Sequence, residues 1–310
     1  MSLVTVFILT LNEEKQIERA MRSVYPIARE VIVVDSYSSD RTVELAKELG
    51  AKVFQNKFIN QSRQYQWALA NIPIAADWVL RLDADEYLEP ELIREIIERL
   101  PNLSANVTGV HLKYKQIFMG RWIRHGGIYP LILLRLWRRG CARVEDRWMD
   151  EHIVLTEGQS ITFAGHFCGE SLKDLSFFID KHNRYATREA IQILNQKLDL
   201  FQRDNTLTVK VSSRQVVLKR RIKERLYNRT PFILSSTIYF IYRYFLRLGF
   251  LDGVEGAIYH FMQGYWYRFL IGAKVIEYER TLNGLDGKAA KIAALSQLTG
   301  HDVAAPRDPA

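Results

Sequence analysis

Four apolar runs punctuate the first hundred residues, and each leads into a stretch with helical spacing. "VTVFIL", from Val4 to Leu9, precedes a predicted helix from about Glu13 to Val24. "EVIVVDS" leads, with Asp40 placed as a cap, to a helix over Arg41 to Leu49 that Gly50 stops. "AKVFQ" precedes a helix over Gln61 to Asn71, and "WVLRLD" precedes one opened by Pro90. β-Branched runs alternating with helices predict a parallel sheet, because parallel neighbours need a long crossover between them. Open sheets of this kind bind ligands beyond the carboxyl ends of their strands. Polar residues stand at three of those ends: Thr10, Asn12 and Glu13; Asp35 and Ser36; Asp83, Asp85 and Glu86.

Beyond Val107 the pattern changes. Strands and loops punctuated by Gly109, Gly120, Gly126, Gly127 and Pro130 run to Trp137, followed by the polar segment "RVEDRWMDEHIVLTEG". A strand-like "SITFAGHF" then enters a long helical region from about Leu172 to Phe201. The boundaries expected are 1–205 for an α/β catalytic domain, 206–285 for a basic and aromatic helical region, and 286–310 for a partly disordered tail. A length of 310 residues suits one large domain with such an appendage. Two cysteines, Cys141 and Cys168, give no disulfide framework and point to a reducing compartment. The apolar start lacks a basic leader and a small-residue cleavage site, so it reads as a core strand.

The net charge of +8 is concentrated. Between Lys210 and Arg229 eight basic residues face one acid, Glu224, which predicts an anionic partner. The stretch after Arg229 is rich in Phe, Tyr, Trp and Ile, yet its longest charge-free run, Thr230 to Tyr242, is far short of the ~20 residues a spanning helix needs. The segment is therefore expected to lie in an anionic membrane surface as a helical hairpin, or to form a homodimer interface with "GFLDG" as the turn between its helices. Nucleic acid is the weaker partner, since no zinc-finger or RNA-recognition signature accompanies the basic run.

The D-x-D pair, Asp83 and Asp85, presents two carboxylates to one hard cation, and Mg²⁺ or Mn²⁺ completes such a shell with water and phosphates. A solitary acid cluster at a strand end is more often a helix cap. Three strand ends converging on one edge are harder to explain by capping.

In "ILTLNEEKQIERAMRSV", "EVIVVDSYSSDRTVELAKELGAKV" and "WVLRLDADEYLEPEL", spanning roughly residues 4 to 95, the chain resembles the family 2 inverting nucleotide-sugar glycosyltransferases with the GT-A fold. The "VVDS" form, with Ser36 where many relatives have a second Asp, resembles the branch of bacterial β-glucosyltransferases that extend lipopolysaccharide cores and surface polysaccharides. The resemblance implies a Rossmann-like, mostly parallel sheet with flanking helices, to which the aromatic and basic composition adds the C-terminal helical extension. It implies a UDP-sugar donor whose nucleotide is lined by Thr10, Asn12, Glu13 and Asp35, with Asp35 facing base or ribose. Asp83 and Asp85 would be the metal pair, Asp85 the more direct ligand. Arg63 and Gln64 either approach the nucleotide or solvate a helix face.

Inversion needs a carboxylate to take the acceptor hydroxyl's proton. The family carries it downstream of the D-x-D, and "RWMDEHI" offers Asp150 and Glu151 beside the apolar Trp148, which would wall the acceptor. Glu151 is preferred, although the usual "HE" order is inverted here, which keeps Asp150 open. His152 and His166 read as packed residues or ligands, His166 being the better candidate for a third metal or diphosphate contact. Lys181, Asn183 and Tyr185 face either the acceptor or solvent. The expected acceptor is a lipid-linked or lipopolysaccharide-core saccharide at the cytoplasmic face of the inner membrane. A sugar-phosphate nucleotidyltransferase lacks support, since "TLNEEK" replaces the Gly-rich basic loop it needs. A catalytically inactive membrane-associated subunit stays open.

Overall fold

A computed structural model describes residues 3–146, 151–201 and 231–303. The chain opens with the predicted alternation: β1 (Val4–Thr10), α1 (Ile17–Val24), β2 (Ala28–Asp35), α2 (Thr42–Glu48), β3 (Lys52–Gln55), α3 (Gln61–Asn71), β4 (Trp78–Asp83), the short β5 (Glu86–Leu88) and α4 (Pro90–Arg99). The strands β6 (Val107–Phe118), β7 (Arg121–Ile123) and β8 (Leu131–Arg138) follow. A small pair, β9 (Ala142–Val144) and β10 (Ile153–Leu155), comes next, and β11 (Gln159–Glu170) completes the sheet.

The sheet order is β3-β2-β1-β4-β8-β6-β11-β5, with β7 attached to β6. The first four strands are parallel. β8 returns antiparallel between β4 and β6, and β5 runs antiparallel beside β11. This is the expected α/β GT-A architecture, its parallel half joined to a mixed half. Chain order reverses between β1 and β4, which is where an open sheet leaves a crevice above its strand ends.

Both faces of the parallel half are covered, which is why its strands read as nearly unbroken apolar runs. Val6 and Ile8 of β1 pack with Ile17 and Met21 of α1 and Leu92 and Ile96 of α4. Phe7, one residue along and therefore on the other face, packs with Tyr65 and Ala68 of α3 and with Ile153. The N-termini of α2 and α3 are fixed by side chains: Asp40 accepts from the Thr42 amide at 3.0 Å, and Asn60 accepts from the Arg63 amide at 2.9 Å.

Beyond the sheet lies α5 (Leu175–Leu198), capped by Asp174. The C-terminal helices are α6 (Phe232–Ile241), α7 (Gly253–Tyr259), α8 (Tyr267–Leu282) and α9 (Lys288–Thr299). Gly249–Asp252 forms a tight 3₁₀ turn where "GFLDG" is expected to turn between two helices. Ala190 and Leu194 of α5 share a core with Ile271 and Val275 of α8 and with Leu295 of α9. The expected tail is thus helical over residues 288–299, because Leu295 is drawn into that core. No helix among the described residues is long and apolar enough to cross a membrane.

Candidate active site

The parallel register brings the polar strand ends together. Thr10 pairs with Asp35 across β1 and β2, and Leu9 pairs with Asp83 across β1 and β4. The first two β–α loops then interlock. Asn12 adopts φ 56°, a left-handed conformation that Asn tolerates, and its Oδ1 accepts from the Ser39 amide at 2.8 Å. Glu13 is salt-bridged to Lys173 at 2.7 Å, and its backbone amide donates to Thr42 Oγ1 at 2.7 Å. Burial raises the Glu13 carboxyl above its ordinary pKa against the opposing pull of Lys173.

Asp35 ends β2 as expected, but it is fully buried. Thr10 Oγ1 donates to its Oδ1 at 3.0 Å, and the Ser38 amide and Gln55 Nε2 donate to its Oδ2 at 2.9 and 3.1 Å. With both oxygens engaged, it ties the β1 and β2 loops together. Gln64 is likewise buried, donating to Ser36 Oγ at 3.2 Å and to the Asn56 carbonyl at 3.0 Å, so it sets the floor of the loop after β2. Arg63 lies one position away in the first turn of α3.

Asp83 is held from several sides. Tyr65 and Gln61 each donate to its Oδ1 at 3.3 Å, and Arg81 and Arg135 stand 3.6 Å from its two oxygens. Burial works to raise its pKa, yet the two guanidinium groups hold it below the ordinary value. Each arginine also carries a second acid: Arg81 donates to Glu151 Oε1 at 2.8 Å, and Arg135 to Glu86 Oε1 at 2.8 Å. Burial, which outweighs the pull of Arg135, pushes Glu86 up to about 8, and its Oε2 accepts from the Asp83 amide at 2.8 Å. Glu151 therefore joins the D-x-D through one shared guanidinium. Asp150 and Trp148 lie outside the described residues.

Asp85 meets α5, where Lys181 Nζ stands 3.0 Å from its Oδ2. Burial opposes charge on Lys181, but the Asp85 carboxylate more than offsets it and keeps the ammonium protonated far above its usual range. Tyr185, one turn on, lies 5.8 Å from the same ammonium. Of the three α5 residues expected at the acceptor, Lys181 and Tyr185 thus face the carboxylate edge. Asn183 is exposed, because a two-residue step turns it about 200° round the helix.

His166 does not join Asp83 or Asp85. It bonds to Tyr129 Oη at 2.8 Å and stands 3.5 Å from Glu89. Alternation along β11 sends its neighbour Phe167 under Arg135 and turns His166 away. His152 lies 3.7 Å from Glu145, which is fully buried, as a packed residue. No group of three or more His, Cys, Asp or Glu among the described residues is placed to hold a metal. Asp85 nevertheless fits a divalent ion of the kind held by one or two carboxylates together with water and substrate phosphates, since it already binds a cation within hydrogen-bond reach.

The sequence model of glycosyl transferase family 2 matches residues 5–167, more than half of the chain and all eleven strands save the ends of β1 and β11. The chain belongs to glycosyl transferase family 2. An uncharacterized glycosyltransferase of Rickettsia bellii is 47% identical over 93 residues, covering 30% of this chain and 31% of that protein. The glucosyl-3-phosphoglycerate synthase of Petrotoga mobilis is 31% identical over 108 residues, covering 30% of this chain and 33% of its own. The chain thus matches only about a third of the length of these curated relatives. Among solved structures, glucosyl-3-phosphoglycerate synthase from Mycobacterium tuberculosis in complex with Mn²⁺, UDP and glucosyl-3-phosphoglycerate is 25% identical. That match covers 36% of this chain and 44% of the other, with a TM-score of 0.31.

Proposed function

We propose that this family 2 member is an inverting, metal-dependent glycosyltransferase that moves glucose from UDP-glucose to a lipid-linked or lipopolysaccharide-core saccharide. The observation that carries the reading is the convergence on one crevice of the β1 and β2 loops, the Asp83 and Asp85 pair, and Glu151. The loops of Asn12, Ser38 and Ser39 frame the nucleotide. Asp83, fixed by two arginines and Tyr65, sets the direction of the strand end that presents Asp85. A divalent cation at Asp85 would neutralise charge on the departing diphosphate. Glu151 takes the acceptor proton, and Arg81 fixes the orientation of its carboxylate.

An aromatic and basic hairpin at the cytoplasmic face of the inner membrane would bring such an enzyme to its acceptor. Ile233, Leu234, Ile238, Phe245, Leu246 and Val254 are each half or more exposed, and they come directly after the basic run in the chain. Juxtamembrane basic residues contribute about 1 kcal/mol each at an anionic surface.

The test is product analysis with UDP-glucose, Mn²⁺ and a panel of lipid-linked and core saccharides, with chelator as control. UDP release that needs both metal and acceptor is expected. Glu151→Gln should lower kcat about 10²- to 10⁴-fold while leaving donor affinity near wild type. Pyrophosphate release would identify a nucleotidyltransferase instead, and no release with any nucleotide sugar would leave an inactive subunit.

A further inference from the structure

Among the described residues, the cations that meet the Asp83 and Asp85 carboxylates, Arg81, Arg135 and Lys181, are not equivalent. Arg81 and Arg135 belong to the sheet, are almost fully buried, and are committed to Glu151 and Glu86. Lys181 arrives from a separate layer on α5, and among the described residues its salt bridge is to Asp85, the carboxylate best placed for a divalent ion. A guanidinium forked between two acids is hard to move, whereas an ammonium on four methylenes relocates easily. The same helix face carries Tyr185 and then Arg188 at the next turn. The Arg188 guanidinium lies between Phe58, at 5.0 Å from its ring, and Tyr185, at 5.7 Å. Its Nε is buried without a hydrogen-bond partner among the described residues. A buried N–H with no acceptor is costly, and an anion reaching this one guanidinium nitrogen would satisfy it.

We propose that Lys181 is a resident cation of the donor site, which neutralises Asp85 until donor binding, yields that carboxylate to the divalent ion, and then donates to the nucleotide diphosphate, with Arg188 as a second anion contact on the same helix. The proposal rests on the reading of this edge as a nucleotide-sugar site. Its energetic basis is an exchange of partners. A divalent ion binding alone must evict the half-buried ammonium and leave it, without its carboxylate partner, close to a double positive charge. A diphosphate arriving with the ion gives the ammonium a new partner. Ion and nucleotide must therefore bind with positive coupling, and the coupling is reciprocal.

Calorimetric titrations of Mn²⁺ with and without saturating UDP, and of UDP with and without Mn²⁺, test this on the full chain. Wild type should bind Mn²⁺ weakly alone and at least about tenfold more tightly with UDP. Lys181→Met should bind Mn²⁺ alone about tenfold more tightly than wild type, bind UDP with Mn²⁺ more weakly, and lose most of the coupling. Lys181→Arg should keep the wild-type pattern. Lys181→Gln, which leaves Asp85 a hydrogen-bond donor, is read in parallel with thermal melting to separate folding from binding. If neither neutral variant gains affinity for Mn²⁺ alone, the proposal is overturned while the donor reading survives. A wild-type protein that binds neither UDP nor Mn²⁺ defeats the donor reading and the proposal together.

Discussion

Arg81 and Arg135 explain how Asp83, Glu86 and Glu151 share one buried corner. Each guanidinium is forked between Asp83 and one other acid, so removing an arginine would strand carboxylates away from water. Glu86 is the member that burial pushes up to about 8. An unfolded glutamate loses its proton near 4.3, so between about 4.3 and 8 the folded chain binds a proton that the unfolded chain does not. The stability this contributes is full below the lower value and is lost as pH rises to about 8. Melting temperature should therefore fall between pH 5 and 8, and Glu86→Gln should flatten that slope; equal slopes in both proteins would contradict the assignment. Of the acids in this corner, Asp83 was legible because it ends an apolar run and Glu86 because it follows closely on it, whereas Glu151 stands in a polar segment and was singled out by the resemblance. The arginines were not legible, since Arg81 and Arg135 lie inside "WVLRLD" and "LILLRLW", with Glu151 and Glu86 at 70 and 49 residues' separation. Asp35 and His166 were assigned by residue type, and the contacts they make depend on hydrogen bonds and strand alternation that only the fold reveals.

At the level of elements, α5 joins two halves. One side is apolar and shares a core with α8 and α9, while the other delivers Lys181, Tyr185 and Arg188 to the carboxylate edge. Its existence and span were readable from helical spacing. Its orientation was not, because a helix with charged residues on both exposed and buried faces gives no sequence signal for which face meets the site. The strands and helices of the first hundred residues fell close to their predicted bounds, since sheet burial on both faces leaves an unmistakable apolar pattern. α9 was missed because an Ala-rich stretch near a chain end carries little apolar weight apart from Leu295. The segment from α6 to α7 leaves Leu246 and Val254 about seven-tenths exposed. Leu246→Glu with Val254→Glu should weaken flotation with anionic phospholipid vesicles about tenfold or more. Unchanged flotation, with the wild type dimeric and the variant monomeric by light scattering, would assign this face to a second copy of the chain.

Across the whole molecule, two layers of helices bury a twisted sheet whose order reverses between β1 and β4, and the chemistry collects at that reversal. Residues separated widely in the chain, from Asn12 to Arg188, reach it because parallel strands end on the same edge and α5 closes over them. Remote parts such as the α8 and α9 core act by fixing α5, so their truncation should affect the site through Lys181 and Arg188. On the proposed function, Asp85 is the carboxylate on which donor activation depends. The most direct measurement is the steady-state rate of UDP release from UDP-glucose with Mn²⁺ and acceptor by Asp85→Asn, a variant that keeps the side chain's shape. A fall in kcat of at least about a hundredfold, with the wild-type melting temperature retained, is predicted; a variant that turns over at the wild-type rate would contradict it.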